Sequence, residues 1–285
     1  MAIPALAACS TPPANDGILI VASTNVYGSI ASAVAGDRAT VVSIISEPSQ
    51  DPHSYEAGAR VQLELSRADV VIANGGGYDD FVDTLLAGVD NPDVTTIKAV
   101  RHFGISADPP GPEFNEHVWY DLPTMARLAG TLADVLSKRD PDHADGYRAN
   151  AEAFEASVGS LESRVAALTA AHAGDAVIMT EPVPFYLLEA AGLDNVTPDA
   201  FSRAIEDGTG VPPALLGAML DMVADGRVSA VVYNEQTSGP ETDQLIRTAR
   251  SAGTRVIPVT ETLPADTGYV AWMSATIDAL EAALQ

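Results

Sequence analysis

Five histidines are spread along the chain, and two of them keep company that could hold a cation. His53 follows Asp51-Pro52 and precedes Ser54-Tyr55-Glu56; His117 follows Asn115-Glu116 and precedes Val118-Trp119-Tyr120-Asp121. A neutral imidazole offers one lone pair to a metal ion, and a nearby acceptor can fix its other ring nitrogen. The other three histidines read differently. His143 and His172 lie at the ends of a long helical stretch, where a histidine in the last turn suits the helix dipole, and His102 has Arg101 beside it, a poor neighbour for a cation. In the second half, carboxylates stand just after apolar runs: Glu181 in Thr180-Glu181-Pro182, Glu235 in Asn234-Glu235-Gln236, and Glu261 in Thr260-Glu261-Thr262. Taken singly, a histidine is more often a surface or satisfied core residue than a ligand; the matching settings of His53 and His117 are what single them out.

These positions matter because of the elements that would carry them. Apolar strands at Ile18–Ala22, Ala39–Ser46, Val70–Ala73 and Thr95–Lys98 alternate with helical stretches at Tyr27–Ala35, Gly58–Ala68 and Asp79–Ala87, and Leu122–Lys138 closes the first half as a helix. The second half repeats the pattern with strands at Ala176–Thr180, Ala230–Tyr233 and Arg255–Pro258. Helices at Pro184–Ala191, Pro212–Asp225, Thr242–Ala252 and Tyr269–Leu284 surround them. Such alternation predicts parallel sheets covered on both faces, whose ligands bind beyond the carboxyl ends of the strands. Between the halves, Tyr147, Ala151, Phe154, Val158, Leu161, Val165 and Leu168 recur at spacings of four and three, the stripe of an amphipathic helix over Pro141–His172. Asp140 is expected to cap it, Pro141 to open it and Gly174 to stop it. The expected fold class is α/β, with two parallel-sheet lobes joined by one long rigid helix. The expected divisions are a tether at 1–16, a first lobe at 17–140, the helix at 141–172 and a second lobe at 173–285. A continuous strut of this kind predicts small lobe movements.

Composition narrows the partners. With 15 Lys and Arg against 39 Asp and Glu, the formal charge of −24 repels a phosphate backbone and argues against nucleic acid. The single cysteine, Cys9, excludes an intramolecular disulfide and a zinc-thiolate cluster. Leu6-Ala7-Ala8-Cys9 is similar to a bacterial lipobox, and the Pro, Asn and Asp run up to Gly17 reads as a tether behind a lipidated cysteine. The expectation is a monomer outside the cytoplasm, held on the outer face of the cell membrane by a lipid anchor only.

Asp51-Pro52-His53 with Tyr55-Glu56, and His117-Val118-Trp119 with Asp121, resemble the paired motifs of the cluster A-I metal-binding lipoproteins of bacterial ABC importers. The resemblance takes in the lipobox-like start, Asn74-Gly75, the long helix and the Thr-Glu segments of the second half. It implies a solute-binding protein that captures Mn²⁺ or Zn²⁺ between its lobes and passes it to an ABC permease. It further implies His53, His117, Glu181 and Glu261 as the ligands, Glu261 standing where the commonest pattern has aspartate. Asp51, Glu56 and Asp121 are candidates either to orient the imidazoles or to cap helices, and Glu235 to steady a ligand or loop.

Two imidazoles and two carboxylates would neutralise a divalent ion, and nitrogen and oxygen donors suit Zn²⁺, Mn²⁺ or Fe²⁺. The family's zinc members often carry a third histidine and a His-rich acidic loop, and this sequence has neither, which favours manganese. The Irving–Williams order favours zinc. Two other readings stand beside this one. A metal-dependent hydrolase would use Glu235 as general base but needs an open coordination position, and no HExxH or Gly-x-Ser-x-Gly motif is present. A metal-binding surface adhesin would leave no mark of its own in the sequence. The turn Asn74-Gly75-Gly76-Gly77 reads as a tight turn rather than a phosphate cradle.

Overall fold

The structure, a computed structural model, describes residues 17–47, 50, 55–105, 114–237 and 239–285; Cys9, Asp51 and His53 lie outside them. The first lobe runs β1 (Ile18–Thr24), α1 (Asn25–Ala35), β2 (Ala39–Ile45), α2 (Ala59–Leu65), β3 (Val70–Ala73), α3 (Phe81–Ala87), β4 (Thr95–Lys98) and α4 (Ala99–Phe103). Every β3 side chain is buried, as expected of a strand covered on both faces. The strands pair in parallel in the order β2-β1-β3-β4. A tight turn at Val118–Tyr120 then leads into α5 (Leu122–Arg139) and the long α6 (Ala144–His172).

The second lobe follows as β5 (Ala176–Met179), α7 (Phe185–Ala190), β6 (Asp194–Asn195), α8 (Asp199–Glu206), α9 (Pro213–Ala224), β7 (Ala230–Asn234), α10 (Pro240–Ala252), β8 (Arg255–Val259) and α11 (Tyr269–Leu284). Its parallel order, β6-β5-β7-β8, is the same permutation as in the first lobe. Of these elements, α4 and α8 are too short for a helical period to stand out along the sequence, although Phe201 and Ile205 lie four apart on one face of α8, and β6 is two polar residues, too short for alternation to show.

All seven stripe residues of α6 are buried, and the helix packs on α1 and α5 of the first lobe and on α7 and α11 of the second. At 1.5 Å per residue its 29 residues span about 44 Å. Its start differs from the sequence expectation. Pro141–His143 form a separate tight turn, and the Asp140 carboxylate caps no backbone N–H. It instead accepts from the Tyr147 hydroxyl at 2.7 Å and pairs with His143 Nδ1 at 2.7 Å, so side-chain partners outcompete the helix amides. Gly174 ends the helix as expected, at a positive φ of 85° that suits a glycine.

One apolar core runs from β1 and β3 through α6 to β5 and β7. Separate clusters back the far face of each sheet. Hydrogen bonds stitch the lobes along this core. The Asn25 side chain pairs with the Leu263 main chain in both directions at 3.0 Å, the Tyr269 hydroxyl donates to the Trp119 carbonyl at 2.8 Å, and Tyr120 donates to the Thr260 carbonyl at 2.8 Å. No helix among the described residues is long and apolar enough to cross a membrane.

Candidate metal centre

Both sheets end towards the same region, and the residues just beyond the strands line it. After β3, Asn74 and three glycines turn back sharply, with φ of 75°, 74° and 104° at Gly75, Gly76 and Gly77. The buried Asp79 carboxylate accepts from the Asn74 and Gly75 amides at 2.6 and 2.8 Å. That carboxylate occupies the amides a phosphate would need, so the glycines make a turn and not an anion cradle. Desolvation raises the Asp79 carboxyl above its ordinary range, and the amide bonds oppose the rise.

His117 is 1% exposed and its ring orientation is set by Asn115. The Asn115 side-chain oxygen accepts from the His117 backbone N–H at 3.1 Å and lies 2.6 Å from Nδ1. The Asn115 amide nitrogen donates to the Pro182 carbonyl at 2.8 Å, so the oxygen end must face the imidazole, and Nδ1 must carry the proton. That tautomer leaves Nε2 as the unprotonated nitrogen of the ring. Trp119 and Tyr78 pack around the ring, with centroids 5.0 and 6.1 Å away.

The carboxylates come from the second lobe. Glu181, just past β5, is 3% exposed, and Glu261, past β8, is half-buried. One buried residue, Asn234 at the end of β7, donates its amide nitrogen to Glu181 Oε2 at 2.6 Å and to Glu261 Oε1 at 2.7 Å. The Asn234 oxygen accepts from the Gln236 amide at 3.1 Å, and the Gln236 oxygen accepts from the Glu261 and Thr262 amides at 2.6 and 3.1 Å. The Tyr78 hydroxyl reaches Glu261 Oε2 at 3.4 Å, and burial followed by the Glu261 charge holds that phenol protonated.

The proposed shell residues sort themselves by geometry. Asp121 caps α5, accepting from the Thr124 amide at 2.9 Å, and Glu56 is exposed. Glu235, expected to steady a ligand or loop, is exposed too, and its neighbour Asn234 is the residue that binds both carboxylates. Asn234 ends β7 facing the same side as buried Val232, whereas Glu235 follows on the other face. His143 and His172 pair with Asp140 and Asp175, apart from this region.

A residue absent from the sequence reading enters here. Glu206, the last residue of α8, brings Oε1 to 3.7 Å from His117 Nε2. Burial lifts its carboxyl to about 8, and the charges of Glu116, Glu181, Glu261 and Asp207 add to the rise. Among the described residues the donors are not gathered into a ready-made group of three. The carboxylates of Glu181 and Glu261 meet at the Asn234 amide, and His117 faces Glu206.

The family described as zinc-uptake complex component A, periplasmic, matches residues 20–283. The manganese-binding lipoprotein MntA of Halalkalibacterium halodurans is 28% identical over 204 residues, covering 67% of this chain and 67% of that protein. The protein of the same name from Bacillus subtilis is 23% identical over 270 residues, 87% of this chain and 82% of that protein. Among solved structures, the SBP FpvC of Pseudomonas aeruginosa in complex with Mn²⁺ has a TM-score of 0.75 at 22% identity, covering 95% of this chain and 99% of that one. A Zn(II)-bound AdcAII variant of Streptococcus pneumoniae has a TM-score of 0.76 at 20% identity, covering 95% and 100%. These structures share the two-lobed fold, and the family match spans both lobes: the chain belongs to the family of periplasmic component A proteins of zinc-uptake complexes.

Proposed function

We propose that the protein captures a divalent transition metal ion outside the cytoplasm and delivers it to the permease of an ABC importer, without catalysing a reaction. The observation that carries this reading is the pair of carboxylates, Glu181 and Glu261, held on one buried amide in the region where His117 presents Nε2. His53, His117, Glu181 and Glu261 are the proposed ligands. An arriving ion would draw both carboxylates from Asn234, exchanging hydrogen bonds to a neutral amide for bonds to a dication. Relatives are named for manganese, zinc and iron, in keeping with a donor set of nitrogen and oxygen. We favour Mn²⁺, because carboxylates can supply additional oxygens as the coordination number rises. The continuous core and the bonds between lobes support capture by loop and side-chain rearrangement with little lobe rotation. Relatives named as lipoproteins support a lipid tether at Cys9. Hydrolysis is disfavoured because Glu235, its candidate base, is solvent-exposed, whereas Glu181 and Asn234 are buried.

Calorimetric titration of metal-stripped protein tests this. Saturable uptake of one Mn²⁺ or Zn²⁺ per chain, lost in His53→Ala and Glu261→Ala, is expected. Absence of uptake, or both variants binding as wild type does, contradicts the assignment.

A further inference from the structure

We propose that Glu206 is a further ligand of the captured ion, adding an oxygen beside His117 and tilting selectivity towards Mn²⁺ over Zn²⁺. This rests on the reading of the site given above and extends it to a residue outside the four ligands.

The 3.7 Å between Glu206 Oε1 and His117 Nε2 exceeds a hydrogen bond. It is close to the roughly 3.0–3.6 Å that separates neighbouring ligands on one five-coordinate ion with bonds of about 2.1 Å. Because Asn115 fixes the proton on Nδ1, Nε2 is an acceptor atom, and with Glu206 Oε1 beside it both atoms can serve one cation. Glu206 also ends α8, and the partial negative charge of a helix C-terminus disfavours a carboxylate there. Glu116, Glu181 and Glu261 surround it with like charge. Like charge and a helix end thus bear on Glu206, the carboxyl beside the imidazole, and a divalent ion there offsets them.

Access agrees with the placement. A cavity of about 440 Å³ opens between the 114–116 segment and α8, and Asn115, Glu116, Pro182 and Glu206 line it. Glu206 therefore borders solvent on one side and the ligating nitrogen on the other. A third carboxylate raises the oxygen count of the shell. Mn²⁺ accepts that readily, whereas zinc holds four ligands well.

The test is Glu206→Gln, which keeps the shape of the side chain and removes its charge. Mn²⁺ and Zn²⁺ affinities come from calorimetry with competition, and the number of Mn–O bonds from X-ray absorption of the manganese-loaded protein. The expected result is an Mn²⁺ affinity lower by about 10-fold or more, a smaller loss for Zn²⁺, and one fewer oxygen on manganese. Unchanged affinities with an unchanged oxygen count would overturn the inference while leaving the four-ligand reading intact. Should wild type bind neither ion, both readings fall. Thermal unfolding of the metal-free proteins checks that the variant folds; if it does not, Glu206→Asp carries the same measurements, with a smaller loss expected and wild-type behaviour again overturning the proposal.

Discussion

The crests of the two sheets differ although the sheets are built alike. Extending the strand registers past the strand ends brings Thr24 into correspondence with Glu181 and Asn74 with Asn234. Each lobe thus places a buried asparagine at the end of its third strand in spatial order. In the first lobe the Asn74 amide nitrogen donates to the Gly75 and Glu116 carbonyls at 2.7 and 3.0 Å, and its oxygen accepts from the Tyr27 hydroxyl. In the second the Asn234 amide serves two carboxylates. One asparagine therefore holds main chain and the other holds candidate ligands. On the proposed assignment, the same scaffold position serves stability on one side and ion capture on the other.

The largest effect should come from removing what Asn234 holds. The double change Glu181→Ala with Glu261→Ala is expected to weaken metal binding by more than about 100-fold, beyond the effect of residues that merely orient ligands. Calorimetry reads this directly. The asparagines themselves give the sharper comparison. Asn234→Leu should cost about 10- to 100-fold in affinity with modest loss of stability in the metal-free protein. Asn74→Leu should do the reverse, with about 1–3 kcal/mol lost for each buried partner left unsatisfied and a smaller change in affinity. If the Asn74 variant loses more affinity than the Asn234 variant, the division of labour is wrong.

Asn115, which bonds Pro182 beside Glu181, acts on the imidazole. Asn115→Ala releases Nδ1 and the bond to Pro182, and about 10-fold weaker binding is expected. NMR of the His117 ring nitrogens should show the loss of a single tautomer. The smallest effect belongs to Asp140, at the junction of α5 and α6. The Tyr147 hydroxyl first, and His143 after it, hold its carboxyl below the ordinary 3.8. A depressed pKa stabilises the fold above the ordinary value and loses that contribution as pH falls through the lowered one. Asp140→Asn should therefore lower the melting temperature slightly at pH 7, with the gap closing below pH 3.8, and leave metal affinity unchanged.

The parts of this arrangement that were legible in the sequence are those with a period or a signature. The α6 stripe and the apolar strands announce themselves through spacing, and His117 through its acid-flanked turn and the resemblance it carries. Asn234, Asn115 and Glu206 were not legible for separate physical reasons. An asparagine after a strand looks like ordinary turn chemistry, and only alternation along β7 would have turned attention from Glu235 to its buried neighbour. Asn115 acts through the proton it accepts, which no sequence pattern encodes. Glu206 ends a helix whose polar residues read as a solvated face, and its approach to His117 is a product of tertiary packing. Charges brought together by folding are legible only after folding.

The most direct test of the central claim is a crystal structure of the manganese-loaded protein, with the ion located by anomalous scattering at the manganese edge. One peak is expected, bounded by His117 Nε2 and the carboxylates of Glu181 and Glu261, with those carboxylates turned from the Asn234 amide towards the ion. A single peak elsewhere, with Glu181 and Glu261 still hydrogen-bonded to Asn234, would contradict the account.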